Sequence, residues 1–187
     1  DGLVRVYERA TTDDPWIQKG DSIIGDKDAT GFRQSLSNDG NVIAVSSRFD
    51  ENKKGSVQIY KFINNEWVVD SNFLGDSQDD FLGQSLSLSG DGKTLAIGSV
   101  GSDLYDKNDL GSVKIVSERS GTWSQLGNTI YGNDSGDNAG FSVSITDNGN
   151  RIAVGAIYND DNGDNSGQVR VYDYDSTTEN WIKLGND

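Results

Sequence analysis

Any metal bound by this chain must be held by oxygen, because it contains no histidine and no cysteine. The loop from Asn159 to Gly167 reads NDDNGDNSG, with Asp160, Asn162 and Asp164 at alternate positions. A turning backbone can aim three such oxygens at one point, which is how calcium loops hold their ion. The residues expected of a complete site after the third ligand are replaced by Asn165 and Gln168. Weaker acidic groups are Asp103, Asp106, Asn108 and Asp109 in one loop, and Asp76, Asp79, Asp80, Asp134 and Asp137 in others. The stretch DENKKG at 50–55 carries two lysines that oppose a cation. Asp, Asn, Gly and Ser are equally the ordinary turn formers. Asp80 and Asp137 fit better as carboxylates that cap backbone amides ahead of a strand.

The same absences remove a Ser–His–Asp triad, a thiol nucleophile, zinc with its usual ligands and His- or Cys-ligated haem. With 30 acidic and 16 basic side chains, the net charge is −14. Nucleic acid and anionic membrane surfaces need a cationic face, so neither is an expected partner. No apolar run approaches the ~20 residues of a membrane-spanning helix. The chain is expected to be non-enzymatic. Ser89-Gly90-Asp91-Gly92 partly resembles a sialidase box, but hairpin chemistry alone explains it. Asn133-Asp134-Ser135 is an N-glycosylation sequon, a weak sign of secretion.

The elements that carry these loops repeat. Strands opening with glycine read GLVRVY from Gly2, GSVQIY from Gly55, GSVKIV from Gly111 and GQVRVY from Gly167, spaced by 53, 56 and 56 residues. Val57 and Ile59 alternate with Ser56 and Gln58, the period of a half-buried strand. Trp16, Trp67, Trp123 and Trp181 recur with nearly the same period and are expected to wedge between neighbouring sheets. Two strands precede each complete copy: GFRQSLS, GQSLSLS and GFSVSIT, then VIAVSS, TLAIGS and RIAVGA. The Asp-Gly and Asn-Gly pairs between them predict type I′ hairpins. Tyr7, Tyr60 and Tyr172 end three of the glycine-led strands, where they pack over a sheet edge or meet a ligand at the rim.

Each repeat is thus four strands, a to d, and the expected class is all-β: a β-propeller of four-stranded antiparallel blades. About three and a half blades are expected: a half blade at 1–24, then blades at 25–74, 75–131 and 132–187. A half blade expects strands from elsewhere, in a longer chain or another copy.

The composite pattern resembles the FG-GAP repeat of integrin-α-type propellers. It rests on Asp28 with Gly31, Asp80 with Gly83, Asp137 with Gly140, and on Gly98-Ser99 and Gly155-Ala156. The Phe-Gly pair itself is replaced by Thr30-Gly31, Leu82-Gly83 and Ala139-Gly140. The resemblance implies an extracellular adhesive or structural scaffold, often with calcium in its loops. Its partners would be another protein, further copies or blades of the same protein, or glycans. A carbohydrate-binding module is the alternative, and a propeller glycosidase or lyase a more distant one.

Overall fold

The computed structural model describes residues 2–25, 29–104 and 107–185. The fold is all-β, a series of antiparallel sheets built in chain order. The first is a strand pair, in which β1 (Leu3–Val4) and β2 (Tyr7–Glu8) lie against β4 (Ile23–Ile24) and β3 (Ile17–Gln18). The second comprises β5 (Thr30–Leu36), β6 (Val42–Ser47), β7 (Ser56–Ile63) and β8 (Glu66–Leu74). The third comprises β9 (Ser85–Leu88), β10 (Thr94–Ser99), β11 (Ser112–Arg119) and β12 (Thr122–Gln125), with β13 (Ile130–Tyr131) continuing beside β11. The fourth comprises β14 (Ala139–Ile145), β15 (Arg151–Ala156), β16 (Gln168–Asp175) and β17 (Asn180–Leu184).

Each sheet buries its apolar face against its neighbour, which yields three separate cores. Val4, Val6 and Ile23 of the first pair meet Ile43, Val45 and Tyr60 of the second sheet. Val57 and Ile59 meet Leu88, Leu95, Ile97 and Val116 of the third. Val113, Ile115 and Ile130 meet Ile152, Val154 and Tyr172 of the fourth.

Three of the four tryptophans are the expected wedges, and each donates its indole N–H to the preceding sheet. Trp67 bonds the Lys19 carbonyl at 2.9 Å, Trp123 the Asp70 carboxylate at 2.7 Å and Trp181 the Leu126 carbonyl at 2.9 Å. Every acceptor lies three residues beyond the preceding tryptophan in sequence. Trp181 is 3% exposed, whereas Trp16 is 61% exposed beneath the Arg9 guanidinium. No sheet precedes Trp16 among the described residues.

The hairpins differ from expectation. The a–b connections are five-residue loops in which only the glycine has positive φ: Gly40 at 65°, Gly92 at 70° and Gly149 at 70°. A hydroxyl supplies the missing bonds: Ser89 accepts the Thr94 N–H at 2.9 Å and donates to Asp91 at 2.6 Å. Ser37 with Asp39 and Thr146 with Asn148 repeat the arrangement. Type I′ geometry, with both central residues at positive φ, occurs instead at Asn64-Asn65 and Ser120-Gly121 between strands c and d.

Sheets approach closely where glycine removes a side chain. A Cβ on Gly98 would stand 2.0 Å from the Gly140 carbonyl oxygen of the next sheet. At its repeat counterpart Gly155, a Cβ would crowd the rotatable Ser142 hydroxyl at 2.4 Å and meet nothing else nearer than 3.7 Å. Gly98→Ala is therefore expected to cost about 1–3 kcal/mol and Gly155→Ala under about 1 kcal/mol, read by urea denaturation.

Candidate functional site

The loops that carried the sequence signals gather at one end of the sheets, where the b–c loop of one sheet is stitched to the loop entering the next. Phe81 and Leu82 donate backbone N–H groups to the Lys53 and Lys54 carbonyls at 3.0 and 2.8 Å. Asn138 and Ala139 do the same to Asp109 and Leu110 at 3.2 and 2.9 Å. Side chains reinforce the seam through Lys53–Asp79 at 3.1 Å and Lys107–Asp134 at 2.7 Å.

Asp137 and Asp80 organise the turns ahead of strand a. Asp137 is buried, and its carboxylate accepts the N–H groups of Asn133 and Asp134 at 2.8 and 3.0 Å and the Asn159 amide at 3.2 Å. Asp80 accepts the Ser77 N–H at 2.6 Å. Burial raises the Asp80 pKa above the ordinary carboxylate value, the Ser77 N–H opposes the rise, and Asp76 and Asp103 add to it. Asp28, the matching residue of the second sheet, lies outside the described residues, as does Asp106.

Asp160, Asn162 and Asp164 lie exposed in one turn. Asp160 accepts the Asn165 backbone N–H at 2.6 Å, and Asp164 lies 3.4 Å from the Asn165 amide. The carboxylate at the centre of this loop is instead Asp161. It accepts the amides of Asn159, Asn133 and Gln168 at 3.3, 3.3 and 3.2 Å, with the Arg170 guanidinium 3.6 Å away. Among the described residues, no three acidic side chains converge on a cation position. The residues present do not form a ready calcium cage, since Asp160 and Asp164 are turned to Asn165 and Asp161 faces a cationic side chain.

A second feature carried no sequence signal. The Arg48 guanidinium lies 5.2, 5.3 and 4.6 Å from the rings of Phe32, Phe49 and Phe81, and Phe81 holds φ of 54° to reach it. Burial, aided by Arg33, lowers the Arg48 pKa from its usual value. With Arg33 and Lys53 close by, this corner presents cations and aromatic rings on an otherwise acidic molecule.

Comparison with known proteins bears on what this stitched end belongs to. Residues 131–172 match the FG-GAP repeat. The match runs from β13 through Tyr172 and takes in both loops around Asp137 and Asp161. No curated protein matches the chain. A provisionally assigned 6-phosphogluconolactonase from Bacteroides uniformis shares the fold with a TM-score of 0.62 and 13% identity. The likeness covers 97% of this chain and 47% of that one, so the chain spans about half of its structural neighbour. This neighbour corrects the expectation of a non-enzymatic chain. Stacked sheets of this kind occur in a protein assigned to catalysis, and carboxylates and hydroxyls serve as acid–base groups without His or Cys. Among the described residues, no helix is long and apolar enough to cross a membrane.

Asp137→Ala is expected to cost about 1–3 kcal/mol, because it strands the buried Asn159 amide and removes the acceptor of two loop N–H groups. Asp160→Ala is expected to stay within about 0.5 kcal/mol, with the same melting temperature in calcium and in chelator. The raised Asp80 pKa has its own signature. The protonated form is favoured in the folded chain, so its contribution is full below the ordinary carboxylate pKa and declines as pH rises through the folded value. Asp80→Asn should flatten the decline in stability on the alkaline side of the ordinary carboxylate pKa, as measured by urea denaturation from pH 3 to pH 7.

Proposed function

We propose that the chain is a run of β-propeller blades that acts outside the cell as a structural and protein-binding module. The observation that carries this reading is the FG-GAP match at residues 131–172, on a unit whose strands, indole bond and stitched loops recur in register through the chain. The proposed binding surface is the stitched loop end. Its side around the exposed Asp160, Asp161 and Asp164 is acidic and its Arg48–Phe81 side is cationic and aromatic, so a protein partner can be met by opposite charge and by ring contact. Side chains there stand on loops fixed by backbone bonds, which lowers the ordering cost of binding.

Lactone hydrolysis is a second reading, favoured by the fold shared with the Bacteroides uniformis protein. Two measurements separate them. On intact source cells, a membrane-impermeant amine reagent should label exposed Lys53 and Lys107, and protection until lysis would overturn the extracellular assignment. The second is read by the hydrolysis rate of 6-phosphogluconolactone with and without the chain. A saturable rate increase would establish the second. Tight binding of a defined glycan at one site would replace the protein partner with a carbohydrate.

A further inference from the structure

Where the second and third sheets meet, the chain carries two arginines that its other repeats do without. Strand pairing aligns the repeats position by position. Arg48, the first residue after β6, stands where the third and fourth sheets have Val100 and Ile157. Arg33, in β5, stands where they have Ser85 and Ser142. Apolar residues and serines complete the same strands elsewhere, so the fold itself asks for no cation at either position. Phe81 is the counterpart of Asn138, and both hold a left-handed backbone, at φ of 54° and 55°. Asparagine accepts that conformation readily and a bulky aromatic residue does not. The strain is borne where the Phe81 ring lies 4.6 Å from the Arg48 guanidinium.

What Arg48 lacks is an acceptor. Its Nε is enclosed and makes no hydrogen bond. Among the described residues, no carboxylate pairs with Arg48 or Arg33. Lys53 differs, being held by Asp79 at 3.1 Å. The two guanidinium groups share the Phe32 ring, with Arg33 at 4.3 Å and Arg48 at 5.2 Å from its centroid. Burial lowers the Arg48 pKa, and the like charge of Arg33 lowers it further. Aromatic rings attract a guanidinium but leave its in-plane N–H donors unfilled, and those donors match the oxygens of a carboxylate. Beside them Phe49 leaves 42% of its surface exposed.

We propose that Arg48 and Arg33 bind an acidic segment of a protein partner, each guanidinium taking one carboxylate and Phe49 taking the apolar side chain between them. This site lies within the protein-binding surface proposed above and rests on that reading. Two cations that meet at one ring, neither of them neutralised, call for a segment with more than one acid. Such a segment is repelled by most of a chain of net charge −14, which confines its docking to this corner. Nucleic acid, whose phosphates also suit a guanidinium, is repelled along its length by the same charge.

The test is an NMR titration of the intact chain with the blocked peptide GELEG, and in parallel with acetate, inorganic phosphate and oligogalacturonate. The Nε–H signals of Arg48 and Arg33 and the Phe49 amide should shift saturably with peptide, at a Kd of about 1 mM or tighter, while the Asp161 amide stays in place. The peptide GQLQG should bind at least about tenfold more weakly. Arg48→Val and Arg33→Ser install what the other repeats carry. Each should keep the Trp123 indole N–H signal of the folded chain and weaken GELEG at least about tenfold. No saturable shift, or equal binding of GELEG and GQLQG, would overturn the proposal. So would acetate or phosphate binding as tightly as the peptide, which would leave a site for small anions, and tighter binding of oligogalacturonate, which would make the occupant a carbohydrate. A less stable Arg48→Val chain, with peptide binding unchanged in Arg33→Ser, would make the arginines packing residues and overturn it equally. If peptide binding fails while Lys53 and Lys107 are labelled on intact cells, the Arg48 site is wrong and the extracellular module stands.

Discussion

Four sheets become one body through an indole that crosses from each sheet to the one before it. Trp67, Trp123 and Trp181 each bring a large apolar surface and a single donor, and each finds an acceptor in, or one residue beyond, the strand d of the preceding sheet. The hydrogen bond fixes the register between sheets, and the ring fills the space between them. The remaining interface follows from that register. Small residues such as Gly98 and Ala96 stand where backbones come closest, and Val, Ile and Leu fill the wider parts. A sheet with two apolar faces has no stable existence in water, so the tryptophan is as much a condition of the strands as their own alternation is.

The loop end inherits its geometry from this stacking. Once neighbouring sheets are in register, the b–c loop of one lies beside the entry loop of the next, and backbone bonds join them. Carboxylates at these junctions are then drawn into structural work. Asp137 gathers backbone N–H groups, and Asp161 gathers amides and faces Arg170. The loop end is therefore a surface whose shape is held by backbone bonds between neighbouring loops.

Strand identity and order were legible in the sequence because alternation is a local property. Val57 and Ile59 can be read as one face without knowing what covers them, and the recurring tryptophan shows that something does. Three matters were not legible. The a–b turns depend on a serine or threonine hydroxyl two residues before the Asp or Asn, which outweighs the dipeptide that normally announces a type I′ turn. The carboxylate on which the loop's amides gather is Asp161, one place off the alternate series, because its partners Asn133 and Arg170 lie outside the loop. The ring cluster around Arg48 draws on Phe32, Phe49 and Phe81 from three separate segments, and no spacing rule joins them.

The three cores are separate, and each is shared by two adjacent sheets only. Under tension applied at its two ends, such a molecule has no single keystone whose failure releases everything. Load passes from sheet to sheet in series, and the weakest junction yields first while the others hold. Among the described residues, the first strand pair shares its core with the second sheet alone, through Val4, Val6 and Ile23. The chain would lengthen in steps, one sheet at a time, as an extensible spacer does.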